Sequence, residues 1–179
     1  GTELLINANA VRATNSATGT SGRLESDLAT DDHYSQATRV ADDADSRNTA
    51  VRGRFNASAD SSYDYVLRRS STTTHRLFKI TNSTGSQQGS TVTETGITNP
   101  TTIRLEVDGS NLRGLRDGVQ KIPATGFTTD PTPFTGQLRG GITISNVAAA
   151  GRFAEVDNFE EGDLVVAADK SATQIIIID

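Results

Sequence analysis

The chain has 179 residues, a formal net charge of −5 and no Cys, Met or Trp. That length suits one domain with a core of its own, and zero cysteine excludes a disulfide scaffold, a thiol nucleophile and thiolate metal sites. The 17 basic residues are nearly all Arg and form no dense run, a poor match for nucleic acid, where phosphate neutralisation dominates affinity, and no stretch approaches the roughly 18 apolar residues of a membrane span.

Hydrophobic residues make up 34% of the chain and aromatics 5%, yet they fall in short ordered runs, which disordered segments lack. No segment repeats apolar residues at i, i+3, i+4 and i+7 over three turns; period two recurs instead, the mark of half-buried strands. The chain starts at Gly1 without an initiator Met, which points to a processed or partial product. Leu4-Leu5-Ile6 and Ala10-Val11 read as an opening strand, and Tyr34–Ala41 as the next, with Tyr34, Ala37 and Val40 as its apolar residues. Thr49–Phe55 alternates, with Arg on the face opposite Val51 and Phe55. Tyr63–Arg68 follows a polar turn at Ala59–Ser62, then comes Arg76–Ile80, and Asn82–Gly89 reads as a long loop. Arg68, Arg69 and Arg76 gather around this predicted hairpin; outward strand positions are usually polar, so they read as solvated.

Thr101–Pro123 is the clearest stretch. Ile103, Leu105 and Val107 point one way, Arg104 and Glu106 the other, and Asp108-Gly109 then supplies the positive φ angles of a tight hairpin turn. A second strand, Asn111–Arg116, ends at Asp117-Gly118, and a third covers Val119–Ile122, which together predict a three-stranded antiparallel meander. Gly136–Ser145 puts Ile142 and Ile144 on one face, with Gly140-Gly141 signalling a bulge or a close backbone approach. Arg152–Glu160 carries Phe153, Val156 and Phe159. Many short strands with turns every 8–12 residues predict an all-β sandwich or barrel.

Beyond Gly162 come Leu164-Val165-Val166 and the closing run Ile175, Ile176, Ile177, Ile178. Four successive Ile cannot alternate in and out, so both faces of that strand want burial. We therefore divide the chain into a sandwich over residues 1–164 and an extended segment over 165–179, whose four Ile are candidates for an assembly strand added to a neighbour's sheet.

Asp31–Leu164 resembles the concanavalin A-like (laminin-G-like) jelly-roll family, especially its non-catalytic members in phage virion and bacterial surface proteins. The residues that carry the likeness are Asp31–Ala37, Tyr63-Asp64-Tyr65-Val66-Leu67-Arg68, Leu77-Phe78-Lys79-Ile80, Ile103–Ser110 with Asp117-Gly118-Val119, and Val156-Asp157-Asn158-Phe159. The resemblance implies an antiparallel two-sheet jelly-roll sandwich. Sugar-cleaving members carry a Glu-x-Asp-x-Glu strand; here Glu155-Val156-Asp157 comes nearest, with Phe159 where the second Glu would stand. No enzyme is expected, and no cofactor beyond an optional calcium ion.

Candidate binding residues are few. Tyr63 and Tyr65 share a strand face and are weak candidates for stacking on a glycan, although the same spacing suits a packed core. Asp157 is a weak calcium candidate, because the family often places an Asp near an ion on its last strand. Asp42-Asp43-Ala44-Asp45 reads as a solvated loop, and His33 and His75 as structural histidines, since no nucleophile elbow accompanies them. The expected core comprises Val51, Phe55, Tyr65, Leu67, Phe78, Ile80, Ile103, Leu105, Val107, Ile142, Ile144, Phe153 and Phe159. The function expected first is a structural or decoration subunit of a phage virion, in the capsid or tail, whose partners are other virion proteins or copies of itself. The alternative is a carbohydrate-binding module at a bacterial surface or secreted, with surface glycans as partners.

Overall fold

The computed structural model describes the backbone of residues 4–7, 10–13, 20–23, 28–41, 47–56, 59–69, 72–137, 139–145 and 155–164. The described residues form strands and turns only. They begin with β1 (Leu4–Asn7), β2 (Ala10–Ala13), β3 (Thr20–Arg23), β4 (His33–Ala41), β5 (Arg47–Asn56), β6 (Ser61–Arg69) and β7 (Thr73–Thr81). There follow β8 (Thr84–Glu94), β9 (Thr101–Asp108), β10 (Asn111–Arg116), β11 (Val119–Ile122), β12 (Thr128–Thr129), β13 (Gly141–Ser145) and β14 (Glu155–Asp163).

They build two antiparallel sheets. The larger runs β1-β2-β14-β4-β9-β10-β11, with β12 also paired to β10, and the smaller runs β3-β13-β5-β6-β7-β8. The expected opening strand is thus a hairpin of two, at one edge of the larger sheet. The meander forms as expected, with its two turns built differently. Arg116 pairs with Val119 across Asp117 and Gly118, whose φ of 50° and 76° give the turn in which both central residues have positive φ. Asp108, however, pairs with Asn111, so the first turn is centred one residue later, on Gly109-Ser110, and only Gly109 has positive φ.

Between the sheets lie Val51, Tyr63, Tyr65, Leu67 and Leu77 from one side and Ala37, Ile103, Leu105, Val107, Leu112 and Val156 from the other, with Ile142 and Ile144 beside them. Burying each large aliphatic side chain is worth about 1.5–3 kcal/mol. Two glycines let the layers close. A Cβ on Gly53 would stand 2.9 Å from a Val107 methyl, and one on Gly114 2.7 Å from the Tyr65 ring. Gly140 likewise packs against Ser35 and Glu161 too tightly for a side chain, the close approach that the glycine pair signalled.

Several expectations need correction. Asn82–Gly89 is no loop: Thr81 pairs with Thr84 around Asn82 and Ser83, both at positive φ, and β8 runs on as a polar edge strand. An edge strand needs only main-chain pairing on one side, so a hydrophobic period does not reveal it. On β7 the inward residues are Thr73, His75 and Leu77, while Phe78 and Ile80 are half-buried on the outer face. On β4 the inward set is His33, Ser35, Ala37 and Arg39, with Tyr34 and Val40 outside. Phe55 is buried at 7% but not in the core, because a bulge between Gly53 and Asn56, with Arg54 at φ 48°, reverses the alternation. Phe159 is half-buried against the core, and Phe153 lies outside the described residues.

The bulge turns Arg54 into the end of the sandwich, where it is 2% exposed. Its Nε donates to the Asp31 carbonyl at 2.9 Å, one terminal nitrogen to the Phe134 carbonyl at 2.7 Å and the other to Asp32 Oδ1 at 3.2 Å. Asp32 also accepts the Gly109 N–H, and Asp31 those of Gly136 and Gln137. One arginine and two aspartates therefore tie three loops to β5.

Candidate functional site

Alternation on the smaller sheet sends one residue of each pair away from the core. The outward set on β5 is Asn48, Ala50 and Arg52; on β6 it is Ser62, Asp64, Val66 and Arg68; on β7 it is Thr74, Arg76, Phe78 and Ile80. Such a face would ordinarily be solvated. Two of its charged residues are nevertheless little exposed: Asp64 lies cross-strand between Arg52 and Phe78, and the Arg52 and Asp64 side chains are only 9% and 7% exposed.

The geometry is that of an anchored ion pair. Arg52 Nε donates to Asp64 Oδ2 at 3.2 Å, and Ser62 Oγ donates to the other carboxylate oxygen at 2.6 Å. A terminal nitrogen of Arg52 reaches Asp60 Oδ1 at 3.4 Å, and the guanidinium stands 4.9 Å from the centroid of the Phe55 ring. Burial pushes the Asp64 carboxyl above its ordinary value; the Arg52 charge and the Ser62 and Arg52 hydrogen bonds oppose that without cancelling it. Further along the face, Arg76 is opposite Val66, which is opposite Ala50, which is opposite Thr143 of β13. The floor there is of small and branched side chains.

Chemically, this surface pairs hydrogen-bond donors and acceptors in fixed positions with the half-exposed apolar flank of Phe78, Ile80 and Val66. A polyol with an apolar ring face meets both requirements, since its hydroxyls donate and accept while its C–H face packs on apolar carbon. The sequence put Arg52 outward on its strand, but the Arg52–Asp64 pair depends on β5–β6 register, which a period-two pattern alone does not fix.

The residues singled out from the sequence lie elsewhere. Tyr63 and Tyr65 are 1% and 0% exposed in the core, so neither offers a ring face to a ligand. Tyr63 donates its hydroxyl to Asp130 Oδ2 at 2.5 Å and packs 5.1 Å from Phe134, and the Tyr65 hydroxyl is 2.8 Å from His75 Nδ1. Burial pushes both phenols well above their usual range. Tyr34 sits on the outer face of the larger sheet with the Arg104 guanidinium 3.6 Å over its ring. Asp157 is half-buried and accepts the Asn158 N–H at 2.6 Å; among the described residues no group of three or more His, Asp or Glu side chains gathers around a cation position. Ile175, Ile176, Ile177 and Ile178 fall outside the described residues, as does Asp42-Asp43-Ala44-Asp45.

His33 and His75 are both fully buried. His75 Nε2 lies 3.1 Å from Glu94 Oε2, and Glu94 also binds Lys121 at 2.9 Å and Arg116 at 3.0 Å. Desolvation lowers the His75 pKa, and the Glu94 contact raises it by less. The Tyr65–His75–Glu94 row joins β6, β7 and β8 at the edge of the smaller sheet.

No family model matches the sequence, and no curated protein matches it. Solved structures do match by fold. A carbohydrate-binding module, CBM66 from Bacillus subtilis, superposes with a TM-score of 0.71 at 12% identity, covering 91% of this chain and 92% of that one. A legume lectin-like domain from Entamoeba histolytica gives 0.59 at 8% identity, over 91% and 88% of the two chains. A prokaryotic β-1,3-1,4-glucanase (lichenase) derived from a mouse hindgut metagenome gives 0.60 at 11% identity, over 89% and 82%. Two packed antiparallel sheets, with a carbohydrate-binding module, a lectin-like domain and a glucanase among the structures of similar fold, make this chain a concanavalin A-like jelly-roll sandwich.

Proposed function

We propose that the chain is a carbohydrate-binding module that holds a glycan against the outer face of its smaller sheet. The observation that carries this reading is the Arg52–Asp64 pair, fixed by Ser62 and Asp60 beside Phe55 and Phe78 on the outer face of the smaller sheet. A buried ion pair adds little net stability; what it supplies here is oriented hydrogen bonding next to apolar carbon. The fold is shared with proteins described as a carbohydrate-binding module and a legume lectin-like domain, which supports the same reading. The role is non-catalytic. Glycoside hydrolysis uses one carboxyl group to protonate the leaving group and a second as base or nucleophile, whereas Asp60 and Asp64 both spend oxygens on a single guanidinium. The virion role is expected from the jelly-roll resemblance together with the closing Ile run; that run lies outside the described residues, and the structures of similar fold include a carbohydrate-binding module and a lectin-like domain.

The test is a glycan array probed with the labelled chain, followed by titration of each hit against Phe78→Ala. Phe78 is half-buried on the outer face, so its truncation should weaken binding about tenfold or more while the far-UV spectrum stays that of a β-protein. A clean array, or hits indifferent to Phe78→Ala, would remove the reading. Release of reducing sugar from a bound glycan would replace it with a hydrolase.

A further inference from the structure

The two ends of the outer face differ in charge balance. At one end Arg52 is matched by Asp60 and Asp64. At the other, Arg68 and Arg76 are half-buried and pair with no carboxylate among the described residues. Beside them are buried polar atoms without a hydrogen-bond partner among the described residues: Arg76 Nε, Thr74 Oγ1 and Asn48 Oδ1. Leaving such atoms unsatisfied costs about 1–3 kcal/mol each.

Register places these groups together. Arg68 is opposite Thr74 on one side and Asn48 on the other, while Arg76 is opposite Val66. Arg68 and Arg76 are therefore diagonal neighbours on adjacent strands, about 7–8 Å apart at the backbone. Two long guanidinium side chains at that spacing can converge on one anion, the planar fork of each matching two acceptor oxygens. Ala50, Val66 and Thr143 continue the cross-strand row of Arg76 with small and branched side chains.

We propose that the ligand of this face is an acidic glycan, carrying a carboxylate or a sulfate on its sugar ring, and that Arg68 and Arg76 hold that anionic group. The inference rests on the glycan-binding reading and narrows it. A neutral sugar could satisfy Thr74 and Asn48 through its hydroxyls but would supply no charge to two cations that have no carboxylate partner among the described residues. The acidic charge of the whole chain does not prevent this, because fields are screened beyond about 8 Å at physiological ionic strength.

The experiment titrates the full chain with three oligosaccharides of equal length: an oligogalacturonate, a sulfated galactan fragment and a neutral β-glucan fragment. Each is repeated with Arg68→Gln and Arg76→Gln. One or both acidic ligands should bind at least tenfold more tightly than the neutral one, with affinity falling as NaCl is raised. Each Gln variant should cut that preference roughly tenfold, as expected for losing a charge-assisted hydrogen bond. Preference for galacturonate alone would assign a carboxylate ligand, and for the galactan alone a sulfate. Binding of the neutral fragment with equal or greater affinity would overturn the inference and leave the glycan reading standing. Acidic preference unchanged in both variants would also overturn it, by moving the anion elsewhere. No binding of any of the three, together with a clean array, would remove both.

Discussion

The ring Nε2 of His33 accepts a hydrogen bond from the backbone N–H of Arg54 at 2.9 Å. A nitrogen that accepts carries no proton, so this contact requires neutral imidazole. Burial lowers the His33 pKa first, and the neighbouring Arg54 charge lowers it further. Burial lowers that of His75 as well. Both groups are thus harder to protonate in the folded chain than in the unfolded one, whose imidazoles titrate near 6.5. Their contribution is fully present above that value and is lost as pH falls below it through the depressed folded values. The thermal midpoint should therefore decline as pH drops from about 7 to 5, with a limiting slope of about 1.4 kcal/mol per pH unit for each histidine. His33→Gln should flatten the slope; an unchanged slope in that variant would assign the loss to other groups.

A steric prediction concerns Gly114. Its φ is not in the left-handed region, so alanine there is not strained by its backbone; the added methyl instead meets the Tyr65 ring at 2.7 Å and an Ile122 methyl at 2.8 Å. Overpacking of this kind costs about 1–3 kcal/mol. At Gly118 the reverse holds: φ is +76°, with nothing within 4 Å of a Cβ. Gly118→Ala should cost about 1 kcal/mol from the backbone alone. Urea unfolding of both variants should rank Gly114→Ala as the more damaging.

Asp130 offers a third test. Its carboxylate accepts from the Tyr63 hydroxyl, from Lys79 Nζ at 2.7 Å and from the Thr132 N–H, while Lys79 stands 4.7 Å above the Phe134 ring. Burial alone would raise its pKa, but these donors together hold it below the usual carboxylate value. Its contribution is present above the unfolded carboxylate range near pH 4 and is lost as pH falls through the lower folded value. Asp130→Ala should cost about 3 kcal/mol by stranding a partly buried ammonium and a buried phenol, read as a fall in thermal midpoint at pH 7. It should leave the Arg52–Asp64 pair, which touches none of these residues, intact.

How much of this was legible in the sequence differs by element. Ile103, Leu105 and Val107 alternate with Arg104 and Glu106, and all five point as expected. From Thr102 to Asp108 polar side chains look outward and apolar ones inward; only Thr101, buried at the start of the strand, departs from that rule. It failed where polar residues were buried with partners. Thr73 and His75 face inward beside Leu77, His75 being held by Tyr65 and Glu94, so the apparent Phe78–Ile80 period picked the wrong face of β7. The bulge at Arg54 hid the phase change before Phe55 in the same way, because its cause is tertiary: Asp31, Asp32 and Phe134 supply the acceptors from two distant loops. The candidate site was half visible. Alternation puts Arg52 and Arg68 outward, whereas the Phe78–Ile80 period would turn Arg76 inward and only its charge argues otherwise; the general rule for outward strand positions makes all three solvated. Only the pairing of β5 with β6 joins Arg52 to Asp64, twelve residues away in the chain.

The reversed phase of β7 yields the last prediction. If Leu77 is the inward residue at 1% exposure, Leu77→Ala removes packing from between the sheets and should cost about 2–5 kcal/mol. Phe78→Ala removes a larger side chain, but from the half-buried outer face, where water and the flanking side chains can fill the space. Its stability cost should be the smaller of the two, and its effect should fall on ligand affinity. The sequence period alone predicts the opposite order, with Phe78 in the core and Leu77 in solvent. Chemical denaturation of the two single variants decides between these registers, and it decides as well whether Asp64 and Arg76, which share the alternation of Phe78, face outward together. Tyr63→Ala would be uninformative as a binding test, because the ring lies in the core and donates to Asp130. Its loss would unfold the sheet that carries the site, so Phe78 is the position at which binding and stability separate.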